Sequence, residues 1–151
     1  AREVESNWEE IKMKEGNKRV LSGVPNSLPA MIKAHRIQDK ARAVGFDWHE
    51  KAEIWDKVDE EIRELRQELD HGSKDRIEDE FGDLFFSVVN AARLYDIEPE
   101  TVLEKSNKKF IRRFNYIEST VKKMGKTMKE MSMEELESLW QQGKSDDPSL
   151  S

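Results

Sequence analysis

Residues 51–70 read Lys51-Ala52-Glu53-Ile54-Trp55-Asp56-Lys57-Val58-Asp59-Glu60-Glu61-Ile62-Arg63-Glu64-Leu65-Arg66-Gln67-Glu68-Leu69-Asp70. Ile54, Val58, Ile62, Leu65 and Leu69 recur at intervals of four, four, three and four, the period of an amphipathic helix. His71-Gly72-Ser73 interrupts the pattern, and a second helix is expected from Lys74 to about Tyr95. Its stripe is Ile77, Phe81, Leu84, Phe85, Val88 and Ala92. Phe86 and Val89 lie on another side, so this helix is expected to be buried over much of its circumference, with room for a second chain to cover part of it.

The same reading extends outward. Residues 1–15 form a short helix with Val4, Trp8 and Ile11 on one side, followed by a loop from Gly16 to Leu28. Ser27 is placed as the N-cap of a helix through Pro29, Met31, Ile32, Ile37 and Ala41, ended by Gly45. Phe46-Asp47-Trp48-His49 then turns into the 51–70 helix. Beyond Asp96-Ile97-Glu98, Pro99 opens a helix to about Met124, with Val102, Leu103, Phe110, Phe114, Ile117 and Val121 facing inward. Ser132-Met133-Glu134-Glu135 is a capping box for a last short helix carrying Leu136, Leu139 and Trp140. The polar tail from Lys144 onward is expected to be disordered. With no β-alternation and no internal repeat, the fold class is all-α, a four-helix-bundle-like architecture.

The chain has 151 residues, enough for one domain with its own core. Its 38% charged against 36% apolar residues suits long helices with broad wet faces. Acidic and basic residues interleave at a net charge of −6, which argues against binding to a nucleic acid polymer. No apolar run is long enough to span a membrane, and the absence of cysteine suits a reducing cytoplasm.

Two acidic clusters carry the chemistry. Glu60-Glu61-Ile62-Arg63-Glu64 and Glu80-Phe81-Gly82-Asp83 each place carboxylates three residues apart, on one side of a helix. At about 100° per residue, Glu61 and Glu64 flank the apolar stripe of the first helix, whereas Glu60 points away from it. Glu80 and Asp83 flank the second stripe. If the two flanks meet, four carboxylates converge. Without a counterion they repel; an all-oxygen set with no cysteine suits a hard cation, Mg²⁺ or Mn²⁺, whose usual partner is a phosphate chain. A run of glutamates on a helix is more commonly just solvated surface, and residue pattern alone decides no further.

On the helix from Pro99, Lys105, Lys109 and Arg113 form a basic row that either grips phosphates or balances the acidic helices. Lys57 stands one turn before Glu61, and Arg76 one turn before Glu80. Trp140 can stack on a base or anchor its helix; Trp8, Trp48 and Trp55 read as packing residues. Glu68-x-x-His71 lacks the second copy that a di-iron bundle needs, so His71 reads as a helix C-terminal residue. No glycine-rich phosphate loop occurs.

The series Ser27-Leu28-Pro29-Ala30, Val44-Gly45-Phe46-Asp47-Trp48, Lys57-Val58-x-Glu60-Glu61-x-x-Glu64, Glu80-Phe81-Gly82-Asp83-Leu84-Phe85, Asn107-Lys108-Lys109-Phe110-x-Arg112-Arg113-Phe114 and Leu139-Trp140-Gln141-Gln142 resembles the MazG family of all-α nucleoside triphosphate pyrophosphohydrolases. The likeness is to the C-terminal domain of the two-domain bacterial form. It implies residues 1–26 as a leading helix and linker, 27–144 as the MazG domain and 145–151 as a disordered tail, with a first domain missing before Ala1. It further implies Mg²⁺-dependent hydrolysis of nucleoside triphosphates to monophosphate and pyrophosphate, by a homodimer. Metal would be held by Glu61, Glu64, Glu80 and Asp83, with Glu60 as a further candidate to position water. Lys57, Arg76, Lys109, Arg113 and Trp140 would contact the nucleotide. Narrower relatives acting on dUTP or phosphoribosyl-ATP, and a regulatory module that binds nucleotide without turnover, are the rival expectations.

Overall fold

The computed structural model describes residues 2–16, 19–48 and 50–147. Among these the chain is all-helical, as expected: α1 (Arg2–Gly16), α2 (Ala30–Ala43), α3 (Lys51–His71), α4 (Lys74–Arg93), α5 (Pro99–Lys123) and α6 (Met133–Asp146), with one 3₁₀ turn over Met128–Glu130. None of these helices is long and apolar enough to cross a membrane. The chain divides into two compact units, residues 1–100 and 101–151.

In the first unit α3 packs on α4, α4 on α2, and α2 on α1. Its core is Ile54 and Val58 of α3 against Ala91 of α4, flanked by Ile62, Leu84 and Leu94. The α3 stripe is buried as its period requires, except that Leu69 is left exposed. α4 differs from expectation. Its covered side carries Ser87, Val89 and Ala91, whereas the bulky stripe of Phe81, Phe85 and Val88 is solvent-facing, with Phe85 61% exposed. Small side chains let α3 approach closely; the aromatic residues would hold it off.

Local chemistry sets the helix ends. Pro29, not Ser27, is the N-cap of α2, and no side chain caps it. Past its end Gly45 takes φ 94°, a left-handed conformation that suits glycine, and Phe46 N–H returns to the Ala41 carbonyl at 3.0 Å. Ser73 caps α4 by accepting from the Arg76 N–H. α1 is tied to the end of α2, the Ser6 hydroxyl donating to the Ala43 carbonyl at 2.6 Å. Trp8, Trp48 and Trp55 do not serve as buried packing residues: Trp8 is 60% exposed, Trp48 and Trp55 about half so, with Trp55 Nε1 donating to the Tyr95 hydroxyl. His49 lies outside the described residues.

In the second unit Ile117 and Val121 of α5 pack with Met131, supported by Tyr116, Leu136, Leu139 and Trp140. Of the residues expected to face inward on α5, only these two are buried; Val102, Leu103, Phe110 and Phe114 are exposed. Ser132 caps α6, with Glu135 N–H on Ser132 Oγ at 3.1 Å; the Glu135 carboxylate accepts from the Ser132 hydroxyl at 3.3 Å, the side-chain oxygen in place of the backbone N–H of the expected capping box. α6 continues through Asp146, past the expected start of the tail. Gly143 explains how it lies against α5: a Cβ there would meet the Tyr116 ring at 2.7 Å. Residues 148–151 of the expected tail lie outside the described residues.

Candidate functional site

The i,i+3 spacing on α3 and the packing of α3 on α4 bring three of the four acids expected to bind metal together. Glu61, Glu64 and Glu80 each offer a carboxylate oxygen within 4.8 Å of the others, the group among the described residues that could hold a metal ion. Asp83 is not within that group. It stands one turn further along α4, exposed, and close enough for its charge to act on Glu80.

Burial sharpens the geometry. Glu61 is only 5% exposed, although its residue type is almost always solvated. Its Oε1 takes the Lys57 ammonium at 2.9 Å, while its Oε2 is buried without a partner. Glu80 Oε2 is likewise buried and unpartnered. Glu60 faces elsewhere, as helical phase required, and binds Lys57 from the other side at 3.0 Å. Lys57 is thereby held firmly in its charged form, first by its hydrogen bond to Glu61 and then by that to Glu60.

The Glu80 carboxyl is pushed above the ordinary carboxylate value of 4.5, chiefly by desolvation and then by the charges of Glu64, Asp83, Glu61 and Glu68. Two unsatisfied buried carboxylate oxygens beside a third acid are a costly arrangement that a cation would relieve. The donor set, all oxygen and converging from two helices, fits Mg²⁺ or Mn²⁺.

The raised Glu80 value has a testable consequence. A carboxyl that ionises less readily in the folded chain costs stability once pH exceeds its folded pKa, and costs nothing well below 4.5. In chelator-treated protein, Glu80→Gln is therefore expected to raise the melting temperature at neutral pH. The gain should shrink as pH falls toward 4.5. An equal gain at both pH values would mean that repulsion at Glu80 is not its cause.

The other expected contacts are distributed between the units. Arg76, in the first turn of α4, is largely exposed and reaches Glu68 at 3.9 Å. Lys109, Arg113 and Trp140 lie in the second unit. There Trp140 carries the Arg113 guanidinium over its ring at 5.2 Å and packs against Phe110 at 5.6 Å between centroids. Glu68-x-x-His71 contributes no metal ligand group among the described residues.

Sequence reasoning missed what adjoins the acids. A cleft of about 730 Å³ opens between α2, residues 44–48, α3 and α4, and Lys57, Glu61 and Asp83 line one part of it. Arg93 also lines it; 7% exposed, it donates from Nη2 to Asp47 Oδ1 at 2.7 Å and from Nε to Asn90 Oδ1 at 3.0 Å. The sequence signal was present only as polar residues, Gln38, Ser87, Asn90 and Arg93, on helices read for their apolar stripes.

Comparison with known proteins bears on the family. Residues 50–118 match the model of the MazG nucleotide pyrophosphohydrolase domain, a span containing both acidic clusters, Lys109 and Arg113. The chain is 39% identical over 143 residues to a nucleoside triphosphate pyrophosphohydrolase/pyrophosphatase MazG of Thermotoga maritima, covering 93% of this chain and 55% of that protein. It is 40% identical over 148 residues to a nucleoside triphosphate pyrophosphohydrolase of Escherichia coli K12, covering 94% and 56% respectively. An uncharacterized Bacillus subtilis protein, YabN, is 44% identical over 146 residues, which make up 30% of its length. The chain thus spans little more than half of the first two relatives and less than a third of the last. Across residues 50–118, the span that carries the acidic signature, the chain matches the MazG nucleotide pyrophosphohydrolase domain.

Proposed function

We propose that the chain hydrolyses nucleoside triphosphates to the monophosphate and pyrophosphate. The observation that carries this is the convergence of Glu61, Glu64 and Glu80 with two buried, unpartnered oxygens. The names of its relatives supply the reaction. Glu61, Glu64 and Glu80 would hold Mg²⁺, with Asp83 the fourth candidate ligand. The ion supplies Lewis acidity at the phosphate oxygens.

The remaining work belongs to the protein. Water attacks the α-phosphorus, the α–β bridging P–O bond breaks, and pyrophosphate leaves. A carboxylate of the cluster, or Glu60, orients that water and takes its proton. Lys57, kept charged by Glu60 and Glu61, stands beside the acids where it can neutralise phosphate charge. Arg76, on α4 as Glu80 is, adds a cation, and within the second unit Trp140 gives Arg113 a surface to rest on. The exposed Phe81, Phe85 and Val88 face of α4 supports a homodimer, a second copy covering apolar surface that is otherwise costly to leave in water.

The test is a screen for pyrophosphate release across ribo- and deoxyribonucleoside triphosphates with Mg²⁺. Monophosphate and pyrophosphate in equal amounts are expected. Diphosphate plus phosphate would overturn the mechanism, and tight binding without turnover would favour the regulatory module.

A further inference from the structure

We propose that Lys57 is an exchangeable cation of the site: it pairs with Glu61 until a divalent ion takes that carboxylate, and Glu60 then holds it with its ammonium free to meet phosphate. This rests on the metal-binding reading above and assigns Lys57 and Glu60 their parts in it.

The arrangement is built within one helix. Lys57, Glu60 and Glu61 stand at i, i+3 and i+4 on α3, the spacings at which helical side chains become neighbours. Lys57 Nζ lies 2.9 Å from Glu61 Oε1 and 3.0 Å from Glu60 Oε2, so one ammonium bridges two carboxylates. The two pairs are unlike. The Glu61 side chain is buried and belongs to the group that could hold an ion; that of Glu60 is 46% exposed and lies outside the group. One partner of Lys57 is therefore contested by a binding ion, and the other is not.

Glu61 is the point of conflict. Its Oε2 is buried without a partner, as is Glu80 Oε2. An ion drawn to these oxygens meets a carboxylate whose other oxygen already carries a positive charge. An ammonium and a dication on one carboxylate repel, and in a site withdrawn from water that repulsion is little screened. Lys57 is the partner that can give way: it is partly exposed, lines the cleft and has a flexible stem of four carbons. Glu60 keeps it nearby. Ion binding thus releases an ammonium beside the acids, and by linkage phosphate on Lys57 strengthens the hold of Glu61 on the ion. Arg76 offers no such exchange, since it reaches Glu68, outside the group, at 3.9 Å.

The experiment is calorimetric titration of the full chain with Mn²⁺ alone, without nucleotide. Lys57→Met is expected to bind Mn²⁺ at least about tenfold more tightly than the unsubstituted protein, and Lys57→Gln likewise. Arg76→Met removes the same charge without freeing a ligand, and should change the affinity less than about threefold. Glu60→Gln should weaken binding about threefold, because Lys57 then leans on Glu61 alone, and should change nothing in the Lys57→Met background. The rise in melting temperature with Mn²⁺ should follow the same order. Equal effects of Glu60→Gln in both backgrounds would mean that Glu60 acts only by its charge on the ion. Unchanged or weaker binding by Lys57→Met and Lys57→Gln would mean that the ammonium orients Glu61. Either result overturns the exchange and leaves the metal reading in place. Failure of the unsubstituted protein to bind Mn²⁺ would overturn both.

Discussion

Glu61→Gln is expected to lower the rate of pyrophosphate release by about a thousandfold. The substitution keeps shape and burial and removes one charge. That charge matters because of where it sits: the residue is 5% exposed, Lys57 occupies its Oε1, and its Oε2 remains for a cation. A ligand that orients a Lewis acid contributes several kcal/mol to the transition state, and each 1.4 kcal/mol is about tenfold in rate. Glu80→Gln should behave similarly, and the double substitution should cost little more than either alone, because the carboxylates act as one unit. Glu60→Gln is the contrasting case. Glu60 lies outside the convergent group and holds only Lys57, so its loss should cost about tenfold or less. Steady-state rates over a range of Mg²⁺ concentrations check the series. Wild-type turnover by the Glu61→Gln/Glu80→Gln protein would remove the site assignment altogether.

Asp47→Ala is expected to destabilise the fold by about 2–3 kcal/mol. Arg93 is buried among α4 neighbours and its charge is answered at 2.7 Å by Asp47, itself partly solvated, which sets the cost somewhat below that of a fully buried pair. The same carboxylate accepts the Trp48 N–H at 2.8 Å, so its removal also frees the segment that walls the cleft. Adding Arg93→Met should restore much of the loss, since a buried pair replaced by apolar groups leaves no charge unanswered. Urea denaturation with an unchanged slope measures both steps. A cost below about 0.5 kcal/mol would mean that the pair behaves as an exposed ion pair.

The helices themselves were legible. The stripe on α3 located a helix ending within a residue of that observed, and Gly45, Pro99 and the Ser132 capping box marked three boundaries correctly. These are local effects, encoded within a turn or two of chain. Reading α2 from Ser27 failed because a proline two residues later took the cap position, leaving no side-chain cap. Helical phase also separated Glu61 from Glu60, which needs nothing more than a rotation of about 100° per residue.

What tertiary structure decided is which face is covered. α4 carries apolar residues around much of its circumference, so its period could not say that Ser87 and Ala91 would lie inside while Phe81, Phe85 and Val88 stayed out. That choice depends on how closely α3 approaches, a non-local property. It also depends on contacts across the chain that Gln38 is buried on the Phe86 carbonyl, and that Arg93 and Asp47, 46 residues apart, form a pair. By itself the sequence determined the helices, their caps and two acids per helix face, because backbone geometry makes these periodic. The packing of α3 on α4 decided that three of those acids share one place beside a cleft, because convergence is a property of two helices together.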